Sequence, residues 1–539
     1  MPSSRGQWKS QLGFIFAASG SAIGLGNIVF FCANAYEFGG GAFFLPYLLA
    51  LFVIGIPVMI LEFGLGHHTG RAYPIALGQT LGRGGEFLGW FAIVNACFIT
   101  MYYITILAWV VGMFLGSFGS LWQSSVPAPA FDLQMGDLPN PFAFFFNMLS
   151  TWTAVIFVII VWFLNVWIVR RGASTIESAV KVFVPLMWVF MIALIVRGLT
   201  LPNGVHGLYL LFTPKLSVMK DLDVWQGAIG QTFFSLSLGF GIMTTYASYL
   251  PKKSDQTSNA LITSLLDSGF AYVAGIAVFT ILFATTLLPR ASTIGMMFFI
   301  VPSGISQLPG GDPAVTLFGA MFFLLLLLAG LSSSISLVES FISAMVDKFQ
   351  TSRKVFLILA FIVGGIGSVA FALPHVVDKS LTDNGTLGLT LLDLFDHWSF
   401  GHGLLIVGLI ECILLGWVYG VRRIRKTINE NSRFTLKGSW DLLIRTAIPL
   451  LIAFILIASV VDEISEGLYG TAFRENFTQE WGWLDALPQL ALIIWLVLGL
   501  GGASLLTFIK GRAPVKAPED MEAADVLDEG RGRSGGGKN

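Results

Sequence analysis

The sequence predicts an all-α polytopic membrane protein of twelve transmembrane helices, arranged as a five-plus-five inverted repeat with discontinuous helices 1 and 6. Three observations predict it. Of 539 residues, 55% are hydrophobic and 12% charged, with a mean hydropathy of +0.77; soluble domains carry about 25% charge. Apolar runs long enough to cross a bilayer recur along the whole chain. The first and sixth of these runs are interrupted at mid-depth by glycine and polar residues.

The runs fall at about 11–34, 41–65, 88–116, 150–169, 179–199 and 224–248, then at about 258–288, 314–344, 354–374, 388–419, 440–460 and 484–509. Charge asymmetry sets the orientation. With both termini cytoplasmic, all of the 31 Lys and Arg residues lie inside except Arg197, Lys215, Lys220, Arg290, Lys379 and Arg474. The reverse topology would expose the cluster Arg422, Arg423, Arg425 and Lys426. A multi-pass protein of the plasma membrane (the cell's inner membrane) is therefore expected, with a lipid bilayer as its surroundings. A net charge of −1 gives no footing for nucleic acid. Cys32, Cys97 and Cys412 sit in separate apolar runs, with no metal-ligand spacing and no evident pairing. The short polar N-terminus lacks the form of a cleavable signal. Residues 511–539, rich in Gly, Ala and Glu and free of aromatics, predict a disordered cytoplasmic tail.

The first break reads Ala17-Ala-Ser-Gly-Ser-Ala-Ile-Gly-Leu-Gly-Asn27, and the second Gln231-Thr-Phe-Phe-Ser-Leu-Ser-Leu-Gly-Phe-Gly241. In hydrocarbon, each backbone group released from its helical partner must find another or cost several kcal/mol. Freed amides suit a carboxylate, freed carbonyls suit a bare cation, and two such breaks in corresponding spans mark a binding site between repeats. The eighth span adds Ala329-Gly-Leu-Ser332-Ser333-Ser334. A lone serine there usually back-bonds to its own helix; three together shift the reading toward ion ligation. Asp267 is the only acid between Asp255 and Asp312. An isolated intramembrane carboxylate is a functional candidate, with a cation as its natural partner.

With Arg5-x-x-Trp8, Gly24-Leu-Gly-Asn27, Gly39-Gly-Gly-Ala-Phe43, Pro46-Tyr47, Phe233 to Gly241 and Ala329 to Ser333, the chain resembles the neurotransmitter:sodium symporter family, in particular bacterial amino-acid carriers of the LeuT type and LeuT fold. The resemblance runs from about residue 5 to 510. It implies one transporter domain over 1–510, with repeat one at about 11–199, repeat two at about 224–419, and helices 11 and 12 at about 440–509.

The resemblance implies two sodium sites. The first would use the Ala22 carbonyl, Asn27, Ser235 and Asp267 with the substrate carboxylate. The second would use the carbonyls of Gly20, Ile23 and Ala329 with the hydroxyls of Ser332 and Ser333. The carboxylate would rest on the Leu25 and Gly26 amides and the Tyr103 hydroxyl; Ile99, Phe234, Ser237, Phe240, Ser333 and Leu337 would line the side-chain pocket. Relatives that carry amines without a carboxylate place an aspartate at Gly24, so glycine implies a substrate with its own carboxylate, and the apolar pocket implies a neutral, hydrophobic amino acid. Chloride-dependent relatives carry Asn at Asp267 and Ser at Ala271; the built-in charge of Asp267 implies that chloride is not required.

Departures matter at the gates. The family's outer gate pairs an arginine with an aspartate; Asp396 matches the acid, but Phe30 stands at the arginine position. Closure is then expected from Phe30 stacking with Phe240, leaving Asp396 to a water-filled vestibule, to His397 or to a cationic part of a substrate. The inner gate matches, with Arg5 and Asp347 as an ion pair beside Trp8 and Tyr249. The function expected is sodium-coupled symport by alternating access. The alternatives are a carrier of an atypical or cationic solute, a non-transporting receptor and a sodium-leak channel. An enzyme is not expected, because Glu62, Asp267, His67 and His68 form no constellation at catalytic spacing.

Overall fold

The computed structural model describes residues 6–123, 140–289, 292–378, 385–477 and 482–511. Beyond residue 511 the tail lies outside the described residues. The described chain is helical, with two isolated bridges, Val376 to Thr386 and Asp378 to Phe477, and no strands. Among the described residues, nine helices are long and apolar enough to cross a membrane unbroken.

In chain order the spans are α1 (Gln11–Ala22 with Gly26–Glu37), α2 (Gly41–Thr69), α3 (Tyr73–Ser117), α4 (Thr153–Val169) and α5 (Ala173–Thr200). There follow α6 (Leu222–Ser235 with Ile242–Ala247), α7 (Gln256–Ala284), α8 (Gly311–Phe349), α9 (Arg353–Ala370), α10 (Leu387–Asn429), α11 (Gly438–Phe473) and α12 (Gly482–Phe508). The halves of α1 bend by 55°, and α4 meets the helix Pro141–Leu149 at 83°. These bent pairs bring the number to eleven. The twelfth, α6, is two short helices joined by an unwound stretch, which is why length and hydropathy alone miss it.

Burial separates the spans into an inner and an outer set. In the most apolar windows of α2, α3 and α7 at least two thirds of the residues are inside the protein, against 28% in α5, α9, α11 and α12. The latter turn most of their apolar side chains outward, as lipid-facing helices must. Helices α3 and α8 pack along each other as the scaffold. The two broken helices lie against α7 and α8, where their unwound stretches face each other.

Candidate functional site

Both breaks have local causes. Helix α1 ends at Ala22, and Ile23 is extended, with φ −70° and ψ 91°. A Cβ on Gly24 would stand 2.8 Å from Ser333 Oγ and 3.1 Å from the Tyr103 hydroxyl, so only glycine lets the chain approach that closely. In α6, Ser237 (φ 54°), Gly239 (φ 76°) and Gly241 (φ 71°) take the left-handed conformation and unwind the helix. For serine that conformation is strained, and such strain persists only where surroundings hold it. Here Ser237 Oγ donates to the Ser21 carbonyl at 3.2 Å, tying one break to the other.

Asn27, Ser235 and Asp267 meet at the crossing of α1, α6 and α7. Asn27 Nδ2 donates to Asp267 Oδ1 at 2.6 Å and to Ser235 Oγ at 3.0 Å. Ser235 Oγ donates to Asp267 Oδ2 at 2.7 Å, and Asn27 Oδ1 accepts from the Gly24 amide at 3.0 Å. All three side chains are fully buried or nearly so. A buried carboxylate on two neutral donors has no counter-charge of its own, and a small cation supplies one. Turning the Asn27 amide over would present Oδ1 to such an ion.

Of the second expected ion site, Gly20, Ala329, Ser332 and Ser333 lie close to one another or to the α1 break, with a different bonding pattern. Gly20 abuts Ser332 and Val184. Ser332 Oγ donates to its own helix at Ala329 O, 2.8 Å, and Ser333 Oγ reaches across to Ser21 O at 2.9 Å. Thus both serines can back-bond to Ala329 O, as lone serines do, and Ser333 in addition bridges α8 to the α1 break. Ile23 is fully buried.

The six residues expected to form the side-chain pocket line one cavity of about 30 Å³, together with Ser21, Ala22, Gly24, Tyr103 and Ile242. Tyr103 lies 3.4 Å from the Leu25 amide nitrogen, which donates to its hydroxyl oxygen. Leu25 and Gly26 line a larger cavity of about 490 Å³ on the far side of Phe234 and Tyr103, which border both spaces. Asp396 lines this outer cavity with Tyr102, Asp393 and Tyr469.

At the outer end the expected lid needs correction. Phe30 meets Phe234 and Phe400 edge-on, at ring-centre distances of 6.2 and 6.4 Å, and Phe234 meets Phe400 at 4.7 Å. Phe240 instead lines the inner cavity. The reason is that Phe240 lies in the unwound stretch between Ser235 and Ile242 and turns toward the inner cavity, while Phe234 stays on the outer helical half. His397 bonds Glu463 at 2.7 Å, so the expected option of an Asp396 to His397 pair gives way to that contact.

The opposite end is sealed. Trp8 is buried; its Nε1 donates to the Tyr246 carbonyl at 2.8 Å, and its backbone amide donates to Tyr249 O at 3.3 Å. The Tyr249 hydroxyl donates to Glu339 Oε1 at 2.6 Å, and Arg353 pairs with the same carboxylate. Asp347 accepts from the Ala72 amide at 2.8 Å and lies 3.6 Å from Arg71. Arg5 lies outside the described residues, and with it the expected Arg5 to Asp347 pair.

Besides Asp267 and Asp347, six acids are buried in the spans, Glu62, Glu86, Glu177, Glu339, Glu411 and Asp441, and sequence reasoning gives a place in the site to none of them. The rule that singled out Asp267 applies equally to them. Glu62 Oε1 accepts from the Gly239 amide at 2.8 Å, holding the unwound stretch of α6 to α2. Replacing Glu62 by alanine leaves that amide unpaired in an apolar setting, so stability should fall by about 1–3 kcal/mol. The check is thermal unfolding of the purified variant; an unchanged Tm would show that the bond carries nothing.

Comparison with known proteins agrees with this architecture. The family model described as the sodium:neurotransmitter symporter family matches residues 5–127 and 146–500. An uncharacterized sodium-dependent transporter of Methanocaldococcus jannaschii is 37% identical over 485 residues, covering 86% of this chain and 92% of its own. The human sodium- and chloride-dependent GABA transporter 2 is 26% identical over 92% of this chain and 87% of its own. Among solved structures, MhsT in complex with L-phenylalanine aligns with a TM-score of 0.71 and 30% identity, over 85% of this chain and all of that one. The chain is a multi-pass membrane protein and belongs to the sodium:neurotransmitter symporter family of sodium-dependent symporters, with the LeuT-like fold of MhsT.

Proposed function

We propose that this symporter imports a neutral, hydrophobic amino acid with two sodium ions and without chloride. The observation that carries the reading is the shared site at the two breaks. The Asp267 carboxylate faces the α1 turn; the Leu25 amide of that turn and the Tyr103 hydroxyl of α3 suit a carboxylate, and Ile99, Phe234, Phe240 and Leu337 line the space beyond. The alignment with MhsT, solved with L-phenylalanine, supports this substrate class.

In this reading the substrate descends through the outer cavity and displaces Phe234 to enlarge the inner one. Phe30 and Phe400 then close over it. The two sodium ions bind as the resemblance implies, the first at Ala22, Asn27, Ser235 and Asp267, the second at Gly20, Ile23, Ala329, Ser332 and Ser333. Closure permits the first-repeat bundle to rock against the scaffold, breaking the Trp8, Tyr249 and Glu339 contacts. Repeat boundaries at about 11–199 and 224–419, cytoplasmic termini and placement in the cell membrane belong to the same reading. Two ions moving down a tenfold gradient and about 100 mV supply about 7 kcal/mol, enough for roughly 10⁵-fold accumulation of a zwitterion.

The test is uptake of radiolabelled amino acids into proteoliposomes under an inward sodium gradient, with chloride or gluconate as anion. Uptake of phenylalanine or another apolar amino acid, equal in both anions and abolished by potassium replacement, is expected. Uptake that needs chloride would overturn the anion part, and no uptake of any apolar amino acid would overturn the substrate part. A cationic solute is the second reading, favoured by Asp396 on the outer cavity; lysine and arginine in the same panel decide it.

A further inference from the structure

Away from the paired breaks, α10 and α11 carry a cluster that none of the symport steps uses. Residues His397–Leu404 of α10 form a wide, π-helical turn of 8 residues. Because such turns bond i to i+5, residues five apart are brought to one side. His397 and His402 thereby face α11 together, their ring centres 4.8 Å apart, opposite Glu463 and Ser459. One ligand atom from each of His397, His402 and Glu463 lies within 4.8 Å of the others.

The hydrogen bonds fix which atoms are offered. His402 Nδ1 lies 3.2 Å from the His397 carbonyl, which can only accept, so Nδ1 carries the proton. Nε2 is then the lone-pair atom, 3.1 Å from the Ser459 hydroxyl. His397 Nε2 lies 2.7 Å from Glu463 Oε1, while Glu463 Oε2 accepts from the Tyr469 amide at 2.7 Å. Tyr469 also stacks flat on the His397 ring at 3.8 Å and 2°, fixing its plane. An imidazole whose second nitrogen is held by a carbonyl, and a carboxylate whose second oxygen is held by an amide, are the supports that metal ligands use.

We propose that His397, His402 and Glu463 form a binding site for a transition-metal dication, of which zinc fits best. Two imidazoles and one carboxylate, with the fourth position left to water, are a common zinc donor set. Ligand atoms around tetrahedral zinc lie roughly 3.4 Å apart, so a movement of about 1 Å in flexible side chains completes the site. The ion has a route, because Tyr469, Asp393 and Asp396 line the outer cavity beside the cluster. Bound there, it pins the turn that carries Phe400 to α11, and so slows the movement of the lid.

The test uses purified full-length protein with any polyhistidine tag removed. Thermal unfolding is followed with ZnCl₂, with MgCl₂, and with ZnCl₂ plus EDTA, and visible absorption is recorded during CoCl₂ titration. The expected result is a Tm that climbs with micromolar zinc but not magnesium, since a ligand of the folded state stabilises it. Cobalt should give the visible bands of a tetrahedral ion, lost on adding zinc. Glu463→Gln and His402→Asn should each weaken the zinc response at least about tenfold while keeping their sodium-dependent Tm shift. Variants that respond to zinc as the parent does would overturn the proposal. So would a parent protein with neither a zinc shift nor a cobalt spectrum, a result that stands even if a variant fails to fold. None of these readouts involves transport, so a negative result leaves the symport reading untouched.

Discussion

On the proposed chloride-independent mechanism, Asp267→Asn combined with Ala271→Ser should make uptake depend on chloride. Asp267 is fully buried, with Asn27 and Ser235 as neutral donors, so it is the local charge available to balance a sodium ion. Neutralising it leaves a buried cation without a partner, a loss of about 3–5 kcal/mol for a buried pair. Asp267→Asn alone should therefore weaken sodium binding by about 10²–10⁴-fold. An anion could restore the balance on the same side of α7, because position 271 lies one turn from 267. The donors it would meet are present. Gln231 Nε2 is buried without a hydrogen-bond partner among the described residues, and the Tyr47 hydroxyl lies 3.1 Å from Ser268 Oγ. The check is sodium-driven uptake by the double variant in chloride and in gluconate. A double variant indifferent to halide would defeat the charge-substitution argument.

Gly24→Asp should abolish recognition of substrates that carry a carboxylate. The new Cβ alone would sit 2.8 Å from Ser333 Oγ and 3.1 Å from the Tyr103 hydroxyl. Its carboxylate would occupy the space beside the Leu25 amide, where the substrate carboxylate is proposed to rest. Two like charges there cannot both be satisfied, and an affinity loss of about 10²-fold or more is expected for any amino acid. Amines lacking a carboxylate should lose less. Equilibrium binding of phenylalanine and phenethylamine to parent and variant separates the two effects. An equal loss for both would mean the substitution merely blocks the cavity.

Much of this site was legible in the sequence because its chemistry is local. Glycines at 24, 239 and 241 announce unwound backbone in their apolar runs, and Asp267 stands out as an acid in hydrocarbon. The motif resemblance named Ile99, Phe234, Ser237, Phe240, Ser333 and Leu337, and all six border one cavity. What stayed hidden depends on which helix faces which. Phe400 is one of 47 phenylalanines, and only the packing of α10 against α6 makes it part of the lid. The sequence cannot separate Phe240 from that lid, because register cannot be counted through an unwound stretch. In the sequence Glu62 reads only as an acid outside any catalytic constellation, whereas in the structure it holds the Gly239 amide. The His397 and His402 pair escaped for a related reason. A five-residue spacing does not share a face on an α-helix, and nothing in the local sequence announces a π-helical turn.

The central claim is that sodium and a carboxylate-bearing substrate bind as one unit at the crossing of the two broken helices. Equilibrium binding of L-phenylalanine to the purified protein, titrated against sodium at constant ionic strength, tests it most directly. The account predicts that affinity climbs steeply with sodium, that potassium does not substitute, and that Asp267→Ala flattens the sodium dependence. Binding of equal strength in sodium and in potassium would contradict it.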